Sequence, residues 1–354
     1  MRTAIIGGGL AGCECAFTLA LARLPVTLFE MKPLRFSPAH ENPDLAELVC
    51  SNSLRSDAPD SAVGLLKEEM RALGSLTMRL AAQTRVPAGR ALAVDRKLFA
   101  AGMTLAIRSM PDISLERREI SGLEDQALEP FAQVVIAAGP LAGEELSASL
   151  ARRVGQEHLY FYDAIAPIVD AASVDRRVAF AGSRHAGDTP DYLNCPLSRE
   201  EYHAFRNALL TGRRTPARPF EKELHFEGCL PLEVLAERGE MTLAFGPFKP
   251  VGFSDPHTGA RPFALLQLRA ENANATMFNM VGCQTKLTHS EQARVFRLIP
   301  GLERAEFVRF GSMHRNTFIH APRALEKDLA LRNDPRFFLA GQISGVEGYV
   351  ESAA

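Results

Sequence analysis

Two thiols stand where this chain could do covalent chemistry. Cys50 lies in Glu47-Leu48-Val49-Cys50-Ser51-Asn52-Ser53-Leu54, at the end of a proline-punctuated stretch and just before a run of polar residues. Cys229 lies in Phe226-Glu227-Gly228-Cys229-Leu230-Pro231, where Glu227 could serve as its base or orienter. A thiol near hydrogen-bond donors or a helix start can become a nucleophilic thiolate, whereas one packed among apolar side chains is an inert filler. Both readings stay open from the residues alone. A second chemical signal opens the chain: Gly7-Gly8-Gly9-Leu10-Ala11-Gly12 follows a short apolar run, and Glu30 closes the next one, Val26-Thr27-Leu28-Phe29. Gly7, Gly9 and Gly12 occupy the positions of G-x-G-x-x-G, which allow a tight turn, close approach of a pyrophosphate, and close packing of helix on strand. The helix amino terminus beyond them favours an anion. Glu30, about 20 residues on, can accept from both hydroxyls of an adenosine ribose.

These residues need a parallel sheet to hold them. The spacing predicts a βαβ unit at the start, then a long ordered loop over residues 31–54 containing Pro33, Pro38 and Pro43. An apolar stripe of Leu65, Leu66, Met70, Leu73, Leu76 and Leu80 predicts one helix over residues 61–82. Residues 96–110 read as helix, 113–120 as strand, and 131–138 as a buried strand ending in Gly139-Pro140. From about residue 166 the texture changes to short strands, aromatic residues, Pro and Gly, with one helix near 198–210. A late buried strand, Phe337-Phe338-Leu339-Ala340, meets the glycine-rich turn Gly341-Gln342-Ile343-Ser344-Gly345-Val346-Glu347-Gly348-Tyr349 before a final helix. A first cradle, a middle strand ending at Gly139, and a late turn at Gly341, Gln342 and Gly348 form a layout that suits FAD. The late turn would reach the flavin end with backbone groups and a helix amino terminus. The expected fold class is α/β, a Rossmann-like FAD-binding domain of the glutathione-reductase type with an inserted α+β domain. The expected division is 1–165 plus 305–354 for the FAD domain and 166–304 for the insertion.

Composition narrows the field. A length of 354 residues with 46% hydrophobic content supports two cores. The longest apolar runs are of strand length, far short of a membrane span. Residues 1–6 read as the first strand, leaving no room for a signal peptide, so the cytoplasm is the expected location. The six cysteines form no C-x-x-C pair and the nine histidines no H-x-x-x-H or H-E-x-x-H spacing, so no metal site is expected. Cys13 and Cys15 read as small packing residues of the first helix. A net charge of −2 gives no overall attraction for polyanions. Local basic candidates for such contact are residues 213–218 and the arginines 304, 309, 315 and 323.

The chain resembles the TrmFO family of folate- and FAD-dependent tRNA (uracil-5-)-methyltransferases from end to end. The resemblance is carried by the opening glycines, Phe29-Glu30-Met31-Lys32-Pro33, Cys50-Ser51-Asn52-Ser53-Leu54, and Arg85-Val86-Pro87-Ala88-Gly89. It continues through Asp191-Tyr192-Leu193-Asn194-Cys195-Pro196, Lys249-Pro250-Val251-Gly252, Met313-His314-Arg315-Asn316-Thr317 and Gly345-Val346-Glu347-Gly348-Tyr349. The Cys50 and His314 stretches are specific to this family; the glycine loop alone is not. The resemblance implies methylation of uridine 54 in the tRNA T-loop, with 5,10-methylenetetrahydrofolate as carbon donor and NAD(P)H recharging the flavin. Uracil C5 is a poor nucleophile until a thiolate adds to C6. The resemblance makes Cys50 and Cys229 the two active-site thiols, one adding to C6 and the other serving as base or flavin-side partner; the sequence does not assign which is which, and the working choice is Cys229 as nucleophile and Cys50 as base near the flavin.

His314, Arg315 and Asn316, between strand-like residues 307–310 and 318–319, read either as contacts to flavin, folate or phosphate or as a satisfied turn. Lys249 reads either as a partner for RNA phosphate or the folate glutamate, or as a surface loop. Cys283 stands where the family has an apolar aromatic and reads as packing. Family members continue well beyond Ala354, so the expectation from sequence is a shortened final helix, a mobile glycine turn and weak FAD binding. Flavin-and-folate modifiers of the wobble uridine share the cradle but lack the Cys50 and His314 motifs. Modification of ribosomal RNA, or a catalytically impaired flavoprotein that binds tRNA, are the other readings.

Overall fold

The computed structural model describes residues 2–155, 159–184, 189–215 and 230–354. The first sheet has the strand order Ala330–Leu331, Asp334–Leu339, Gln133–Ile136, Thr3–Ile6, Val26–Glu30, Ile113–Arg117. All its pairs are parallel except the antiparallel edge strand Ala330–Leu331. The central strands are apolar at nearly every position because both faces are covered. On one face lies the helix Leu10–Leu21, packed with Ile5, Leu28, Phe99 and Met103; on the other lie Phe131, Leu146 and Leu150. Ile6, Glu30, Ile136 and Leu339 all end at the same edge of this sheet. That carboxyl edge is where parallel α/β sheets bind ligands.

The second sheet is antiparallel, in the order Phe180–Gly182, Tyr192–Leu197, Ala264–Ala270, Met277–Met280, Ile168–Asp170, Phe307–Arg309. Its core gathers Tyr202, Phe205, Phe248, Phe296 and Leu266. The helix Arg199–Thr211 covers it, opened by a capping box in which Ser198 and Glu201 satisfy each other's backbone N–H groups. The chain passes from the first sheet to the second through Leu159–Ala164 and returns through Met313–Phe318. These two strands pair antiparallel. A small third sheet joins Ser53–Ser56, Ala91–Val94 and Arg85–Val86.

Two local expectations are corrected. The helix expected over residues 61–82 is two helices, Ala62–Ala72 and Leu76–Gln83. Gly74 takes a left-handed conformation (φ +79°) between them, and Ser75 caps the second by accepting from the Met78 N–H. Met70, Leu76 and Leu80 are buried in one core, whereas Leu65 and Leu73 are exposed, so the stripe written in the sequence is not one buried face and periodicity alone misses the break. His314, Arg315 and Asn316 belong to no turn: the segment is the strand Met313–Phe318, and Asn316 is buried within it. Polar residues at such positions are compatible with a strand that links two sheets.

At the far end of the chain, Val350 and Ala353 of the helix Tyr349–Ala353 are buried with Leu10 and Cys13 of the first helix. Among the described residues no helix is long and apolar enough to cross a membrane, and no group of His, Cys, Asp and Glu is placed to hold a metal ion.

Candidate active site

A cleft opens along the carboxyl edge of the first sheet. Gly7, Gly8, Gly9, Leu10 and Ala11 line one side, with Glu30 beside them; Gly139, Gly341 and Gln342 line the other. Residues singled out by three separate sequence motifs thus share one cavity. Gly7 has φ +105°, and a Cβ there would stand 2.5 Å from the Ala137 carbonyl oxygen. At Gly12 a Cβ would stand 1.9 Å from the Gly7 oxygen, so Gly12 serves helix packing and does not line the cleft. Gly9 differs: a Cβ there would meet nothing within 4 Å. Gly9 is also the amino-terminal cap of the helix Leu10–Leu21, with no side chain satisfying the first N–H groups. Open space in front of unsatisfied donors and a positive helix end fits a pyrophosphate. Gly348 is not a lining residue; it caps the helix Tyr349–Ala353.

Glu30 is buried, and its carboxylate is already organised by the protein. The Gly8 N–H donates to Oε2 at 2.7 Å and the Lys32 N–H to Oε1 at 2.9 Å. Each oxygen keeps further acceptor capacity for a ribose hydroxyl. Lys32, also buried, sends its ammonium to the carbonyls of Asn42 (3.0 Å) and Asp44 (2.6 Å) and to Glu47 (3.3 Å). One side chain thus pins the long loop after the second strand, a role invisible in spacing because all its partners are 10 to 15 residues away.

Cys50 stands beside the cleft, behind Val49 and Tyr349, both of which line it. Its Sγ is 3.0 Å from the Tyr349 hydroxyl, which also accepts from the Cys50 N–H at 2.9 Å. Burial pushes the thiol up to about 11, with the Asp163 carboxylate adding to the rise and the Tyr349 hydrogen bond opposing it. The environment of Cys50 thus favours the neutral thiol over the thiolate, of the two readings its sequence left open. Arg309, read from sequence as a candidate for polyanion contact, turns inward and donates to the carbonyls of Val49 (3.2 Å) and Ala39 (3.1 Å). Tyr349 and Arg309 were missed as site residues. Tyr349 follows directly on Gly348 in a family motif, which was the available signal.

His314 lies near the cleft, its Nε2 2.8 Å from the Ser312 hydroxyl. Burial, helped by Arg309, lowers its pKa to about 4. His40, which lines the cleft, is lowered to about 4 by burial and then by Lys32, His314 and Arg309. Lys249 is not brought to the cleft. It is exposed, in a separate groove with Phe245 and Arg261. Cys229 and Glu227 lie outside the described residues. Cys13, Cys195 and Cys283 are fully buried, and burial pushes each thiol up.

The sheet order, the glycine cradle and the acid at the end of the second strand define an α/β protein of the Rossmann-like FAD-binding class. The family model described as "GIDA: Glucose inhibited division protein A" matches residues 2–354. The chain belongs to this family and, within it, groups with proteins named methylenetetrahydrofolate--tRNA-(uracil-5-)-methyltransferase TrmFO. It is 68% identical over 351 residues to the one from Oleidesulfovibrio alaskensis, covering 99% of this chain and 79% of that relative. It is 66% identical over 353 residues to the one from Nitratidesulfovibrio vulgaris strain DP4, covering 99% of this chain and 73% of the relative. Among solved structures, Aquifex aeolicus GidA in its form II crystal matches with a TM-score of 0.73 at 16% identity. That match covers 99% of this chain and 61% of GidA, so the chain spans about three-fifths of GidA's length and the likeness concerns the fold.

Proposed function

We propose that the chain methylates C5 of uridine 54 in the tRNA T-loop, taking the carbon from 5,10-methylenetetrahydrofolate and two electrons from NAD(P)H. The observation that supports this reading is the 68% identity to a protein named as a methylenetetrahydrofolate--tRNA-(uracil-5-)-methyltransferase, together with a cleft suited to a dinucleotide that ends beside Cys50. FAD, when bound, would supply the hydride chemistry that takes a transferred methylene to a methyl. Gly7, Gly9 and the first helix would hold its pyrophosphate, Glu30 its ribose, and the backbone of Gly341 and Gln342 its ring end. Cys229 is assigned as the nucleophile that adds to uracil C6, making C5 an enolate-like nucleophile, and Cys50 as the base that then removes the C5 proton. The domain division remains 1–165 plus 305–354 around the cofactor and 166–304 toward the substrate.

Labelled methylenetetrahydrofolate, FAD and NADPH are incubated with the chain and either a wild-type tRNA transcript or one carrying cytidine at position 54. Label should enter only the wild-type transcript. Equal label in both, or in neither, overturns the proposal. A T-loop RNA carrying 5-fluorouridine should be trapped covalently by the unaltered chain and by Cys50→Ala, but not by Cys229→Ala; the opposite pattern exchanges the two roles.

A further inference from the structure

Two side chains near the end of the strand Ala264–Ala270 bear on the Cys50 segment, Arg269 directly and Glu271 through Arg96. Arg269 is 6% exposed. Its Nε donates to Asn52 Oδ1 at 2.8 Å and its Nη2 to Ser51 Oγ at 2.8 Å. Asn52, fully buried, completes its hydrogen bonds by donating to the carbonyls of Val94 (3.1 Å) and Ala270 (2.9 Å). Two residues along, Glu271 pairs with Arg96 at 2.6 Å. Arg96 in turn donates to the carbonyls of Leu48 (2.9 Å) and Val49 (3.1 Å). Cys50 is the residue between these two clamps.

Two more of the motifs noted in the sequence meet beside this guanidinium. Tyr192 stands opposite Arg269 in the neighbouring strand. The Tyr192 hydroxyl donates to the Ala88 carbonyl at 2.9 Å, and Asp191 accepts from the Gly89 N–H at 2.7 Å. Burying a guanidinium is costly unless its donors are used. Here the planar fork is used on neutral acceptors of the loop, which fixes their distance and orientation together. A residue needed only for packing could be apolar at this place.

We infer that Arg269 is a positioning residue for Cys50, acting through Ser51 and Asn52, so that docking of the second domain sets where the thiol stands. Only its consequence for turnover rests on the proposed methylation; the placement of the thiol does not.

The test uses the full chain and the variants Arg269→Gln, Arg269→Lys and Ser51→Ala. Iodoacetamide labelling of Cys50 is followed by mass spectrometry of its peptide between pH 7 and 10, beside single-turnover methyl transfer to a T-loop transcript. Freeing the loop lets water reach the thiol. Arg269→Gln should label about ten-fold faster or more, with the inflection moving down from about 11. Methyl transfer should slow by roughly 10- to 100-fold, with the KM for RNA little changed. Arg269→Lys should fall between, and Ser51→Ala should shift labelling in the same direction by less. A folded Arg269→Gln that labels at the unaltered rate and pH profile overturns the inference. If that variant does not fold, an unchanged Ser51→Ala does so instead. If labelling responds but even the unaltered chain transfers no methyl group, the proposed activity fails while the positioning role stands.

Discussion

A thiol whose pKa is pushed up to about 11 is almost wholly protonated at pH 7, so Cys50 can act as a base only in the small fraction of molecules that have lost the proton. Release of tritium from C5-labelled uridine in a T-loop transcript should therefore rise about ten-fold per pH unit between pH 7 and 9; a flat profile would show that Cys50 is not the base. Tyr349→Phe removes the hydrogen bond that favours the thiolate and leaves the Cys50 N–H without its acceptor, so alkylation of Cys50 should slow at every pH in that range. Glu30→Gln should weaken FAD binding by roughly 10- to 100-fold, the worth of one charge-assisted hydrogen bond, in a titration followed by flavin fluorescence. Cys50 and Glu30 were legible because each follows a short recognisable motif. Tyr349, Arg309 and Arg269 were not, because each meets Cys50 or its neighbours across more than 200 positions of sequence.

Among the elements, the opening turn separates two uses of glycine that a motif treats alike. Gly12→Ala drives a Cβ into the Gly7 carbonyl and should cost about 3 kcal/mol of stability in urea unfolding. Gly9→Ala meets open space, so the chain should fold with an unchanged midpoint and yet lose FAD affinity by equilibrium dialysis. Full affinity in the Gly9→Ala variant would mean that the pyrophosphate does not approach there. The parallel strands were readable because burial on both faces writes continuous apolar runs. The break at Gly74 and the strand Met313–Phe318 were not, since one hides inside an unbroken stripe and the other is a paired strand written in polar residues.

For the molecule as a whole, the two low histidines make stability depend on acid. Unfolded, His40 and His314 take up protons near 6.5; folded, they resist until about 4. Between those values the unfolded chain binds more protons, so their contribution is complete above about pH 6.5 and is lost as pH falls toward 4. Guanidinium midpoints should drop between pH 7.5 and 5, and the drop should shrink in His40→Asn. Equal midpoints at both pH values would mean that the histidines titrate normally.

The paired crossings Leu159–Ala164 and Met313–Phe318 carry a consequence for how the molecule could be taken apart. Ala164 lies directly opposite Met313, at the spacing a two-residue hairpin turn closes. Everything between them is thus a detachable loop in the topological sense, and replacing it by a tight turn would leave the first sheet's connections uncut. Such a shortened protein would keep the cradle but lose Arg269, Glu271 and Arg309 at once. Its amide hydrogens over residues 48–54 should exchange much faster than in the intact chain, separating the part that stores a cofactor from the part that aims a thiol.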